Sequence, residues 1–159
     1  MKHLPKHIRP RWRYLAVGIE STPEAEISRG DFQRELWYAA GNLLGDPGSA
    51  DCDLTVYDFA FEHGFGETIV RVRRGETDAA RAAVACINSV GEEPVGVFVR
   101  GISGTVRACE ERYLGRRDRD FDQRHVEFAD AQRPAFLHED LAAISLPTGV
   151  VSATDIDFE

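Results

Sequence analysis

Residues 54–74 read LTVYDFAFEHGFGETIVRVRR. Two runs rich in β-branched and aromatic residues, 54–61 and 67–74, flank a connection at 62–66 that carries Gly64 and Gly66. Such runs on either side of a glycine turn predict an antiparallel hairpin. The hairpin decides the fold because a helix-like segment precedes it and another follows it, so the chain is not a simple alternation of strand and helix.

Before the hairpin, residues 28–44 (SRGDFQRELWYAAGNLL) place Phe32, Leu36, Ala39, Ala40, Leu43 and Leu44 at helical spacing. Ser28 or Asp31 can cap that helix and 45–47 can end it. After the hairpin, 77–90 (TDAARAAVACINSV) predicts a second helix, opened by Thr77 or Asp78. Further out, 13–21 (RYLAVGIES) and 94–101 (PVGVFVRG) alternate as half-buried strands, and 103–114 predicts a third helix capped by Ser103 or Thr105. The order β-α-β-β-α-β-α predicts an α+β, ferredoxin-like (RRM-like) βαββαβ sandwich with an additional C-terminal helix. Its compact form is one four-stranded antiparallel sheet with the helices on one side.

Three segments follow: a basic arm (1–13), the sandwich (14–115) and a charged, partly disordered extension with an acidic tail (116–159). Within the extension, Pro134, Phe136, Leu137, Leu141 and Ile144 suffice for a short docking helix over 133–147, and disorder is expected from Thr148. No apolar run is long enough for a membrane span and no secretory signal precedes the sandwich, so a cytoplasmic protein is expected. Cys52, Cys86 and Cys109 lack metal-ligand spacing and read as buried reduced thiols.

The 159 residues carry 27 acids against 19 bases, a formal charge of −8. Seventeen of the bases are arginine, and only Lys2 and Lys6 are lysine. An acidic surface nearly free of lysine fits life in concentrated salt, where carboxylates hold water and long-range repulsion is screened. Charge is unevenly placed. Residues 1–13 hold Lys2, Lys6, Arg9, Arg11 and Arg13 without an acid, whereas 118–159 hold ten acids and three bases. A basic arm on an acidic protein points to phosphates.

Alternation places Tyr14, Tyr57, Phe59, Arg71, Arg73, Phe98 and Arg100 on the sheet face away from the helices. Aromatics among arginines can hold single-stranded RNA. The stronger reading covers Tyr14, Tyr57, Phe59 and Phe98 with another protein or with the chain's own extension, because an open aromatic patch is a liability. The turn 100–105 (RGISGT) sets Ser103, Gly104 and Thr105 at a helix start, where a phosphate or a plain capping turn would fit, with Arg107 one turn in. Arg71, Arg73 and Arg74 complete the candidate RNA-binding set. His3 and His7 are separated by Pro5 and lack an acidic or thiol neighbour, which argues against a metal site. Asp58 falls on the predicted core face, and no nucleophile–base pair is evident.

Several blocks together resemble the archaeal ribonuclease P protein component 2 family: 6–13 (KHIRPRWR) leading into Tyr14 and Leu15, then 56–59 (VYDF), 69–72 (IVRV), 81–85 (RAAVA) and 99–106 (VRGISGTV). The likeness spans about residues 5–115. It implies a non-catalytic subunit of the ribonucleoprotein that removes the 5′ leader of precursor tRNA. No cofactor bound by the chain is implied, since the Mg²⁺ would be held by the catalytic RNA. Implied partners are that RNA, a TIM-barrel-like protein subunit, other protein subunits, and precursor tRNA indirectly, with a homodimer inside a heterotetramer. The family's basic lead-in falls on Lys6, Arg9, Arg11 and Arg13, its strand arginine on Arg71, and its S-G-T turn on Ser103, Gly104 and Thr105. The loop 62–67 looks longer and more acidic than the family's glycine turn, and the chain after Gly115 has no placed counterpart.

Two other readings use the same fold. A small-molecule-binding regulatory module gives no reason for the basic arm. A phosphatase would need an Arg-bearing loop after the first strand, where this chain has 21–24 (STPE).

Overall fold

A computed structural model describes residues 4–114, 122–138, 141–146 and 149–154. In chain order it runs β1 (Trp12–Ser21), α1 (Arg29–Cys52), β2 (Thr55–Glu62), β3 (Phe65–Arg73), α2 (Thr77–Ala85), β4 (Ser89–Val90), β5 (Glu93–Ser103) and α3 (Val106–Tyr113). The strands form one antiparallel sheet in the order β2-β3-β1-β5-β4. This is the expected ferredoxin-like arrangement, with a two-residue fifth strand where the second helix was predicted to continue.

Leu15, Val17 and Ile19 of β1 and Val70 and Val72 of β3 pack with Phe32, Leu36 and Ala40 of α1 and Ala80, Ala83 and Val84 of α2. Burying each valine, leucine, isoleucine or phenylalanine side chain of this set stabilises by roughly 1.5–3 kcal/mol. Ser28 caps α1: its hydroxyl accepts from the Asp31 N–H at 3.2 Å and donates to the Asp31 carboxylate at 2.5 Å. That bond, ahead of Arg34 nearby, holds the Asp31 carboxyl below its ordinary range. Gly45 (φ 72°) does interrupt the helix, but helix resumes with Pro47 in its first turn, where a missing N–H costs nothing.

The hairpin between β2 and β3 closes on two residues, His63 and Gly64, both left-handed (φ 50° and 83°). The turn is therefore tighter than the loop inferred from 62–67. A bulge in β2 changes the facing of its second half. Asp58 takes φ 55°, the register shifts between Tyr57 and Ala60, and Phe59 turns into the helix-side core. Its ring lies 5.8 Å from that of Phe32. Phe59 is thus not on the second face, and Asp58 is exposed rather than on the core face.

The third helix also departs from expectation. With α1 and α2 occupying one face, α3 packs on the other, over Ala16 and Ile69, with Cys109, Tyr14 and Tyr113 in that cluster. Tyr113 lies so close over Gly101 that a Cβ there would sit 2.3 Å from its ring. Cys52 and Cys109 are buried as expected, but Cys86, at the end of α2, is exposed.

The extension contains strands, not a docking helix: β6 (Asp122–Phe128), β7 (Ala131–His138), β8 (Leu141–Leu146) and β9 (Gly149–Thr154) form an antiparallel meander in sequence order. Ala135, Ile144 and Ala153 make a small core of their own with Val126, Phe128, Leu146 and Val151. Part of the stretch expected to be disordered from Thr148 is therefore β9; the acidic residues 155–159 lie outside the described residues. No helix is long and apolar enough to cross a membrane among the described residues.

Candidate nucleic-acid interface

Strand register carries three separate basic segments to one end of the sheet. Trp12 pairs with Arg73 and Tyr14 pairs with both Arg71 and Ser103. The start of β1, the end of β3 and the turn after β5 therefore meet. The arm enters there: Arg74 donates its backbone N–H to the Arg11 carbonyl at 2.9 Å. Lys6, Arg9 and Arg11 are exposed, in a segment shaped by a 3-10 turn (Lys6–Ile8) and by Arg9 Nε donating to the Leu4 carbonyl at 2.6 Å. Lys2 and His3 lie outside the described residues.

At the centre of this end stands Arg71. Its guanidinium carbon is 3.8 Å from the centroid of the Trp12 ring and 5.5 Å from that of Tyr57. One Nη donates to the Thr55 hydroxyl at 3.3 Å. Among the described residues Arg71 forms no ion pair, and its buried Nε meets no acceptor. Aromatic faces fix a guanidinium through the ring quadrupole, contributing roughly 0.5–2 kcal/mol, but do not cancel its charge as a carboxylate would. Arg73 also approaches Trp12, at 5.9 Å, and pairs loosely with Asp53 at 3.6 Å.

The 103–105 turn is shared between two roles. Thr105 caps α3, its hydroxyl accepting from the Ala108 N–H at 3.2 Å, and Ser103 is buried. The capping reading thus accounts for Thr105. Gly104 is different: Arg13 reaches it, with Nη1 3.5 Å from where a Cβ would stand. Arg107 is engaged in a surface pair with Glu111 at 2.8 Å.

The sheet face itself is not an open platform. Tyr14 is half-buried against α3, and beside it Arg100 forms an ion pair with Glu67, which is only 2% exposed. The Phe98 ring covers Gly18, where a Cβ would come 2.4 Å from it. Tyr57 and Phe98 keep exposed surface, at 36% and 39%. Of the four aromatics assigned to this face, Tyr14, Tyr57 and Phe98 lie on it and Phe59 does not.

Sequence reasoning missed Trp12 and the Glu67–Arg100 pair. The signal for Trp12 was present: it shares a face with Tyr14, and hairpin-like pairing sets both opposite the arginines of β3. Glu67 stood at the start of the predicted strand 67–74, at the end of an acidic loop, and nothing in the sequence marked it as buried.

The Rpp14/Pop5 family profile matches residues 13–114. Over its whole length the chain is 58% identical to Ribonuclease P protein component 2 of Halorubrum lacusprofundi, covering all of both chains. It is 56% identical to the protein of that name from Natronomonas pharaonis, over 99% of this chain and 98% of that one. The Methanosarcina mazei protein of that name is 34% identical over 114 residues, 72% of this chain and 93% of its own. The profile match and the whole-length likenesses together establish that this chain belongs to the Rpp14/Pop5 family.

Proposed function

We propose that the chain is a non-catalytic protein subunit of ribonuclease P that grips the catalytic RNA with one end of its sheet. The observation that carries this reading is the convergence of Lys6, Arg9, Arg11, Arg13, Arg71, Arg73 and Arg74 from segments far apart in sequence. Arginine suits the task, since its planar fork meets phosphate oxygens bidentately and sheds water more readily than an ammonium. Contacts of this kind fix position without reading bases. The relatives' shared name supports the assignment to this ribonucleoprotein.

In this reading the RNA holds the Mg²⁺ that drives hydrolysis of the leader phosphodiester, and the protein neutralises and braces the RNA around it. A TIM-barrel-like subunit and the other protein subunits complete the particle, and precursor tRNA is met through them. Salt weakens each neutralised phosphate contact, with a slope of roughly −0.7 for single strands and −0.9 for duplex. Shape fit and contacts between proteins therefore contribute heavily in a concentrated-salt cell.

Reconstitution tests the proposal. The RNA and remaining subunits are assembled with and without this chain, and precursor-tRNA cleavage is measured at limiting Mg²⁺. Cleavage should require the chain at low Mg²⁺ and recover without it when Mg²⁺ is raised. Equal rates with and without the chain at every Mg²⁺ level would refute it.

A further inference from the structure

The outer edge of β2 carries no strand among the described residues, yet its first backbone groups are not left to water. Three side chains of α1, each four residues from the last, take them. Arg29 donates from Nε and one Nη to the Val56 carbonyl at 3.1 and 2.8 Å. Gln33 accepts from the Val56 N–H at 2.7 Å and donates to the Leu54 carbonyl at 3.3 Å. Trp37 donates its indole N–H to that same Leu54 carbonyl at 2.9 Å. Residues four apart share one face of a helix, so a single helix can run along the edge in this way. The Gln33 amide stands where the peptide group of a neighbouring strand would, and it is buried there.

Covering an edge with a helix protects it from stray pairing. The covered stretch has a second property. Asp53, Thr55 and Tyr57 alternate with the pinned residues, and they are partners of the rim arginines. Thr55 accepts from Arg71 at 3.3 Å, the Tyr57 ring centroid lies 5.5 Å from the Arg71 guanidinium carbon, and Asp53 pairs with Arg73 at 3.6 Å. On its inner side the same stretch has little to hold it. Thr55, Val56 and Tyr57 are in register with Arg71, Val70 and Ile69, and the pairing then breaks at the bulge before Ala60. Asp53 stands outside the strand, left-handed at φ 48°, its N–H bonded to the Ser49 carbonyl at 3.1 Å. So short a ladder at a sheet edge opens readily unless its other side is bonded as well.

We infer that Gln33 and Trp37 are positioning residues for RNA binding. They fasten the start of β2 from outside, so that Asp53, Thr55 and Tyr57 hold Arg71 and Arg73 in the orientation that meets phosphate. This role rests on the function proposed above and adds to it two uncharged residues that act only through others. Orienting a guanidinium before its partner arrives removes an ordering cost that binding would otherwise carry. Trp12 stacks on Arg71 from β1, and the start of β2 supplies the remaining partners. Trp37 keeps 54% of its surface, so its tie to the strand is the indole N–H more than burial of its ring. That separates the hydrogen bond from packing and makes it open to a clean substitution.

The test compares variants of the full chain for binding to ribonuclease P RNA in filter assays at fixed KCl. Trp37→Phe deletes the indole N–H and keeps an aromatic ring, and circular dichroism checks that the fold persists. It should bind roughly two- to tenfold more weakly, the worth of one hydrogen bond. In a chain already carrying Arg71→Ala and Arg73→Ala the same change should cost nothing further, because the groups through which it acts are gone. A general loosening of the fold would instead weaken binding by the same factor in both backgrounds. That result, or wild-type affinity for Trp37→Phe, would overturn the positioning role. Gln33→Met removes both amide bonds at similar side-chain length. It should show the same dependence on background, and it decides the matter if Trp37→Phe does not fold. Wild-type binding by the Arg71→Ala, Arg73→Ala chain itself would remove the proposed function at its own site, and the positioning role with it. A loss there beside wild-type binding by both single variants removes the positioning role alone.

Discussion

Arg71 and Trp12 face each other across neighbouring strands, the guanidinium carbon 3.8 Å from the ring centroid, with no carboxylate paired to the arginine among the described residues. The charge is held in place yet left available. Arg71→Lys keeps the charge and loses the planar stack, so it should weaken RNA binding nearly as much as Arg71→Ala. A charge-assisted hydrogen bond contributes about 1.5–3 kcal/mol, so a loss of roughly ten- to hundredfold is expected in filter binding at fixed KCl. Trp12→Ala should reproduce part of it. If Arg71→Lys binds like wild type, the stack has no part in recognition.

The arm is exposed and tied to the sandwich through backbone at Arg11. Arg9→Ala with Arg11→Ala should therefore leave thermal stability within about 0.5 kcal/mol of wild type. The slope of RNA affinity against salt should become shallower by about 1.4, two phosphates' worth. Unfolding of the double variant would show that the arm supports the fold instead.

Glu67 is buried at the middle of the sheet and paired with Arg100, which keeps 28% of its side-chain surface. Glu67→Ala leaves that arginine without its carboxylate in a poorly solvated place. The expected loss is about 2–3 kcal/mol by chemical denaturation, below the fully buried range because water still reaches Arg100. Removing both charges, as Glu67→Gln with Arg100→Met, should recover a good part of it.

Cys109 lies under α3, its thiol 3.7 Å from the Tyr14 carbonyl, and burial pushes its pKa up to about 11 from 9.0. Cys52 is raised too, chiefly by burial, while Cys86 is exposed. Iodoacetamide on the native protein should modify Cys86 first and the others only on unfolding, as read by peptide mass. A raised thiol favours the protonated native state, so its contribution is complete below pH 9 and is lost as pH climbs through about 11. Cys109→Ala should flatten the stability loss in that window.

Much of the sandwich was legible because its periods are clean. Leu15, Val17 and Ile19 alternate without interruption, and Phe32, Leu36 and Ala40 return every fourth residue. What escaped were changes of facing. Alternation assigned Phe59 to the second face because nothing in 54–61 announces a left-handed Asp58, although aspartate tolerates that conformation better than most residues. The helix over 106–113 was visible, but its side of the sheet depends on α1 and α2 already filling the other. The meander was read as helix because Pro134, Phe136, Leu137, Leu141 and Ile144 suit either period. Its β6–β7 turn uses Ala129 and Asp130 at positive φ, without the glycine that usually marks such a corner. In the candidate interface, the arginines were found by charge, by alternation and by the resemblance to the family; Trp12 needed the register.

Sealing the sheet under α3 has a consequence for how such a subunit could discriminate among RNAs. With much of that face committed to its own helix, the protein would, on the proposed function, meet a phosphate chain through the narrow rim at one end of the sheet, too slim to splay out nucleotides and sort them by letter. On the proposed function, choosing the right RNA then falls to the ribozyme's own contour, and the protein acts as a bracket that fits one shape whatever is spelled along it.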